Sequence, residues 1–324
     1  MVSCSKQKLR TGDEMPVLGL GTWKMQNPKQ VVYQAIEAGW RHIDCACDYD
    51  NEIEVGAGMR KAIDAGVCKR EDLWVTSKLW NTYHAKEHVK AACQKTLQDL
   101  GLDYLDLYLV HFPIALKYVP FEERYPPEWT YDPASANPKL EFADIPLHET
   151  WQAMEVLVEE GLVKNIGVCN YSAPLVMDLM RYARIKPAIN QIELHPKLTQ
   201  EALLDYCGTQ GLAITGFSPF GSGSYVELGM DRGHKMLEEP VLQAIASSHG
   251  KTTAQVLLRW GIQRGTSLVP KTSNAERLKE NLNVFDFELS EEEVANISAM
   301  NLNVRYNDPG EFCKGMGGAY PIYA

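Results

Sequence analysis

The chain has 324 residues, 45% of them hydrophobic, and a formal net charge of −10. That balance supplies a large core and, with no long basic run, argues against nucleic acid or an acidic membrane surface as partner. Eight cysteines fall between Cys4 and Cys313 without a framework spacing, no stretch could span a bilayer, and Met-Val-Ser-Cys-Ser-Lys-Gln-Lys lacks an apolar signal core. Reduced thiols in a cytoplasmic protein are expected.

In chain order, Gly12-Asp13 between Leu9 and Met15 reads as a β-hairpin placed to plug a barrel floor. Strand-like runs follow at roughly 17–23, 41–45, 73–79, 105–111, 163–169, 188–194, 213–219 and 267–271. Amphipathic helical stretches lie between them, near 28–39, 51–65, 85–100, 148–160, 174–184, 199–210 and 253–263. Gly101, Gly161 and Gly211 each follow such a stretch, where a helix end favours a residue tolerant of positive φ. Strict alternation predicts an α/β fold with a parallel sheet, and eight strands suffice to close a (β/α)₈ TIM barrel. Two stretches break the rhythm: residues 113–147, rich in proline and aromatics, and the tail from about 300. Long irregular segments in compact domains are often functional, so both are read as loops walling a pocket. No repeat or linker divides residues 1–324, which reads as one domain.

Three motifs begin like known sites and fail. Gly19-Leu-Gly21 opens like a dinucleotide fingerprint, but Lys24 stands where the third glycine belongs. Gly250-Lys-Thr252 imitates the end of a phosphate loop, but Ile245 replaces its first glycine within a helical stretch. His84-Ala-Lys-Glu87-His88 fits a zinc-protease pattern without an identifiable third ligand, so an exposed first helical turn is expected and no metal.

Four other residues close or follow strand-like runs. Asp44 ends Arg-His-Ile-Asp, Tyr49 follows it, Lys78 ends Leu-Trp-Val-Thr-Ser-Lys and His111 ends Leu-Asp-Leu-Tyr-Leu-Val-His. Singly they have plain explanations: a helix cap, a packed ring, a solvated amine, a satisfied core histidine. Together they fit better, because a lysine and an aspartate at buried strand ends need each other. Strand C-termini of such a barrel converge on one face. There, an ammonium would favour the phenolate and lower the tyrosine's pKa, and a carboxylate would hold the lysine charged. The phenol could then protonate a carbonyl oxygen as hydride reaches the carbon, while a neutral imidazole orients it. The hydride must come from a cofactor.

Two segments could anchor a dinucleotide. Hydroxyls open a helix in Lys271-Thr272-Ser273-Asn274, whose free N–H groups would favour an anion, with Lys271 and Arg277 adding charge for a 2′-phosphate. Gly216-Phe217-Ser218-Pro219-Phe220-Gly221-Ser222 offers a ring to stack on and small residues that approach pyrophosphate closely.

At this point the chain resembles the aldo-keto reductases over nearly its whole length. The resemblance rests on Gly-Leu-Gly-Thr-Trp-Lys at 19–24, the quartet with its flanks, Ile166-Gly-Val-Cys-Asn170-Tyr, Pro187-Ala-Ile-Asn-Gln191-Ile-Glu-Leu-His-Pro196 and the Pro-Lys-Thr-Ser segment. It implies a (β/α)₈ barrel, NADPH (or NADH) across its C-terminal face and a tetrad of Tyr49, Lys78, Asp44 and His111. It further implies that Thr22, Trp23, Asn170 and Gln191 serve the nicotinamide end, the last two through its carboxamide. Phe217 takes the stacking position, usually a tyrosine. Ser218, Phe220, Gly221 and Ser222 follow along the cofactor, with Lys271, Thr272, Ser273, Arg277 and Asn281 at its adenosine and phosphate end. Within the family, His111-Phe-Pro-Ile-Ala-Leu-Lys-Tyr-Val-Pro120 and Arg305-Tyr-Asn-Asp-Pro309 are similar to xylose reductases. That implies an aldose substrate touched by Trp23, Asp48, Trp80, His111, Phe112 and Asn307, and a homodimer. The chain departs at Cys169, usually serine, and at Gly310-Glu-Phe, where xylose reductases have Trp-Asp-Trp. Asp44-Cys-Ala-Cys-Asp-Tyr resembles aldose-6-phosphate reductases, an alternative along with a general aldehyde reductase and a barrel that binds NADPH without turnover.

Overall fold

The computed structural model describes residues 5–317 and 320–323. Strands β1 (Lys6–Lys8) and β2 (Glu14–Pro16) form the expected hairpin, with Gln7 opposite Met15. There follow β3 (Leu20–Gly21), α1 (Pro28–Ala38), β4 (His42–Asp44), α2 (Glu52–Asp64), β5 (Trp74–Leu79), α3 (Lys86–Leu100) and β6 (Leu105–Val110). Next come α4 (Leu147–Glu159), β7 (Val163–Cys169), α5 (Ala173–Tyr182), β8 (Ile189–Glu193), α6 (Glu201–Thr209) and β9 (Ala213–Phe217). The chain continues through α7 (Pro240–His249), α8 (Thr253–Gln263), β10 (Ser267–Leu268), α9 (Ala275–Leu282), α10 (Glu291–Ser298) and α11 (Pro309–Phe312).

Strands β3 to β10 lie side by side in chain order, all parallel. A parallel bridge between Leu18 and Leu268, with Gly21 N–H donating to the Pro270 carbonyl, joins the last strand to the first and closes the barrel. The first and last strands are shorter than the runs at 17–23 and 267–271 suggest. α10 and α11 lie outside the helical stretches read from the sequence, and α7 matches the one read around Ile245. Gly101, Gly161 and Gly211 take φ of +66°, +74° and +63° at helix ends, as expected.

The failed motifs have structural duties. A Cβ on Gly19 would stand 2.6 Å from the His42 ring and one on Gly21 2.8 Å from the Val269 carbonyl, so these glycines let barrel strands pack. Gly250 ends α7 with φ +62°, and Thr252 caps α8 by accepting from Gln255 N–H. The expected exposed turn at His84 is wrong: this ring is fully buried before α3 begins, and burial pushes its pKa down to about 3. His88 instead stacks on Tyr118 at 3.6 Å. Among the described residues no cluster of three or more potential metal ligands occurs, and no helix is long and apolar enough to cross a membrane.

The hairpin seals one end of the barrel. Leu9 and Met15 pack with Trp74, Leu107, Leu109 and Ile189 in a single apolar cluster. Arg10 ties the hairpin down by donating to the Pro187 and Gln210 carbonyls at 3.3 and 2.9 Å.

Candidate active site

At the other end, where the strands terminate, a cavity of about 980 Å³ opens, at the upper end of small-molecule pockets. Three consecutive strands deliver the quartet to it. Asp44 ends β4, Tyr49 lies in a 3₁₀ turn (Cys47–Tyr49) just beyond, Lys78 is next to last in β5, and His111 follows β6. Lys78 Nζ donates to Asp44 Oδ1 at 2.6 Å, to the Cys45 carbonyl at 2.8 Å and to Tyr49 Oη at 3.3 Å. The other Asp44 oxygen accepts from Gln191 Nε2 at 2.6 Å. The Tyr49 and His111 rings meet edge to face, centroids 5.9 Å apart. Asp44, Tyr49 and His111 line the cavity, with Lys78 buried behind them.

The electrostatics differ from expectation in one respect. Burial would lower the Lys78 pKa, but Asp44 and Tyr49 raise it overall, so the ammonium stays charged. The Tyr49 pKa is raised, not lowered: burial outweighs the pull of Lys78, and Asp44 and Cys169 add to the rise. Burial, which spacing does not reveal, is the largest influence, and the Asp44 carboxylate bonded to the ammonium opposes part of its pull. At neutral pH the phenol therefore keeps its proton. His111 is held neutral by burial and by Lys78, as anticipated.

Along the rest of the cavity stand Thr22, Trp23, Asp48, Phe112, Asn170, Gln191, Phe217, Ser218, Phe220, Gly221, Lys271, Arg277 and Asn307. Five expected contacts do not line it. Trp80 is buried behind the wall, edge-on to His111 at 5.2 Å, its Nε1 donating to the Glu128 carbonyl. Ser222 spends its hydroxyl on the His234 carbonyl. Thr272 Oγ1 accepts from Asn274 N–H, and Ser273 Oγ from Gln26 N–H. Asn281 is buried, and Lys78, as noted, stands behind the lining. The helix at 275 is capped by Asn274, whose Oδ1 takes the N–H groups of Glu276 and Arg277. Those donors are thus not free for an anion, which leaves Lys271 and Arg277 as the charges on the lining there.

Both irregular segments wall the cavity as expected, through Trp129 from the first and Asn307, Glu311, Phe312 and Met316 from the tail. Arg124 organises the first by donating to the Pro127, Thr130 and Tyr131 carbonyls. Trp129 packs edge-on against Trp80, Phe112 and Phe312. A third segment, between β9 and α7, crosses the cavity and is tied by Lys24, which donates to the Ser224 carbonyl and to Glu227, both at 3.2 Å.

Tyr225, which lines the cavity, and Glu193 escape a reading of motifs alone. Glu193 is fully buried, and its carboxylate accepts from Tyr306 N–H, Asn307 N–H and His195 Nε2, each at 2.8 Å. It thereby docks the tail that carries Asn307. Its signal was present: Gln191 and Glu193 share one face of β8, and a carboxylate buried in a strand must find donors.

A closed parallel barrel with an Asp–Lys–Tyr–His cluster at its strand C-termini defines an oxidoreductase-type site. The chain belongs to the Aldo/keto reductase family, whose profile matches residues 17–302. It is 50% identical to a probable NAD(P)H-dependent D-xylose reductase of Aspergillus clavatus, over 98% of this chain and 97% of that protein. It is 49% identical to the NAD(P)H-dependent D-xylose reductase of Pachysolen tannophilus, over 93% and 95%. Among solved structures, the aldose reductase from Schistosoma japonicum superposes with a TM-score of 0.86 at 38% identity, covering 98% of this chain and 99% of that one. A Bombyx mori aldo-keto reductase in complex with NADP gives 0.85 at 38% identity, covering 99% and 100%.

Proposed function

We propose that this protein reduces the aldehyde of an aldose, D-xylose above all, to its alditol with NADPH. The observation that carries the reading is the charged Lys78 ammonium 3.3 Å from a protonated Tyr49 phenol, beside a neutral His111 and at the wall of an open cavity. Tyr49 gives its proton to the carbonyl oxygen, and Lys78 stabilises the phenolate as it forms. Asp44, fixed by Gln191, keeps Lys78 charged and aimed. Neutral His111 donates a hydrogen bond to the same carbonyl oxygen and so orients the aldehyde.

The residues present suit a dinucleotide. The amides of Asn170 and Gln191 lie at one end for a carboxamide, Phe217 offers a ring for the nicotinamide, and Lys271 and Arg277 supply cations for a 2′-phosphate. Bound there, NADPH supplies the hydride. The sugar would lie among Trp23, Asp48, Trp129 and Asn307, where polar groups recognise hydroxyls. The deciding experiment follows nucleotide oxidation with D-xylose, a phosphorylated aldose and a simple aliphatic aldehyde, each with NADPH and with NADH. The highest kcat/KM is expected for D-xylose with NADPH. Preference for the phosphorylated sugar would replace the substrate, and no oxidation with any of them would reject the activity.

Asp48 gives this reading a pH signature. Burial and the charge of Glu128 push its carboxyl up to about 7, against the pull of Lys78. It is therefore protonated below and ionised above that pH, and only the carboxylate makes charge-assisted bonds to sugar hydroxyls. The KM for D-xylose should fall several-fold as pH rises from about 6 to 8, and Asp48→Asn should flatten the profile. The same slope in the variant would remove Asp48 from sugar recognition.

A further inference from the structure

The C-terminal segment contacts the cavity wall from a neighbouring recess, which Arg305 and Tyr323 line. Tyr323 Oη donates to Asn170 Oδ1 at 2.8 Å, while Asn170 Nδ2 donates to the His111 carbonyl at 2.9 Å. The Tyr323 ring is clamped under the Arg305 guanidinium at 3.6 Å, and Arg305 is held by Gln200. Asn170 itself has φ +64°, so its side chain leaves the barrel rim from a constrained backbone.

We propose that Tyr323 is a positioning residue for the nicotinamide end of the cofactor, acting through Asn170; the inference rests on the NADPH reading above. An amide can present either its oxygen or its NH₂ to a ligand, and two fixed partners decide which. With Nδ2 on the His111 carbonyl and Oδ1 on the Tyr323 hydroxyl, the amide cannot rotate without losing both bonds. A carbonyl-type oxygen has two lone pairs, so Tyr323 occupies one and leaves the other for the carboxamide N–H of a nicotinamide. The neighbour at position 169 adds little to this hold. Position 169, usually serine by family resemblance, is Cys169, whose sulfur lies 3.2 Å from Asn170 Nδ2 and 3.9 Å from Gln191 Oε1. That sulfur accepts from Asn170 Nδ2, and a thiol is a weak partner in either direction, so the firm bonds that hold the amide are those to the His111 carbonyl and from the Tyr323 hydroxyl. Burial raises the Tyr323 pKa, which keeps that donor protonated.

Tyr323→Phe removes the hydroxyl and keeps the ring beneath Arg305. Affinities for NADPH and for 2′-phospho-ADP-ribose, which has no nicotinamide, are measured by calorimetry on wild type and variant. The NADPH Kd should rise about fivefold, the worth of one hydrogen bond, with the 2′-phospho-ADP-ribose Kd unchanged. In an Asn170→Ala background the same substitution should have no further effect on NADPH. An equal loss for both nucleotides would assign Tyr323 a structural role only, and unchanged or tighter NADPH binding would overturn the proposal outright. A wild-type protein that binds neither nucleotide would instead defeat the NADPH reading on which it stands.

Discussion

Tyr49→Phe should lose roughly 10²–10⁴-fold in turnover of D-xylose, the usual contribution of a positioned proton donor. The expected loss lies in kcat, because the phenyl ring can keep its edge contact with His111 and nothing near Lys271 or Arg277 changes. NADPH affinity, read by fluorescence quenching, should stay within about twofold, since the phenol's duty falls in the transition state. A variant retaining a tenth or more of wild-type turnover would transfer the proton-donating role elsewhere, with His111 the nearest candidate.

Lys78→Met should be damaging in two separable ways. Removing the ammonium leaves the Asp44 carboxylate buried with Gln191 as its remaining side-chain donor, and breaking such a pair typically costs about 3–5 kcal/mol. Denaturant unfolding should show that loss. Turnover should also collapse, because nothing then offsets the burial that already raises the Tyr49 pKa. The double variant Lys78→Met with Asp44→Asn distinguishes the two effects. It removes the stranded charge, so much of the stability should return, while activity should stay at the level of the single variant. If activity returned along with stability, Lys78 would be a structural residue rather than the phenol's partner.

Most of the barrel was legible because its strands are short apolar runs separated by periodic helices, and the runs at 41–45, 73–79 and 105–111 carry Asp44, Lys78 and His111 at or next to their ends. The quartet could be found for the same reason: charge at the end of a buried strand is costly, so Asp44 and Lys78 announce each other. What could not be read was how each side chain's valences are spent. Ser222, Thr272 and Ser273 have the right chemistry for phosphate, but their hydroxyls bond the backbones of His234, Asn274 and Gln26. Trp80 stands between Lys78 and His111 in motif terms, and its burial behind Trp129 depends on a loop whose course no periodicity predicts. The Tyr49 phenol was mis-signed because spacing reveals the neighbouring ammonium but not how far burial and Asp44 counter it. His84 was misplaced because an isolated histidine beside two lysines looks solvated until the chain above it is folded down.

Leu9 and Met15 pack with Trp74, Leu107, Leu109 and Ile189 beneath the strands, so the lower end of the barrel is solid. In the proposed reaction, cofactor and sugar would therefore share the entrance at the strand C-termini, where Trp129 and the tail wall the cavity.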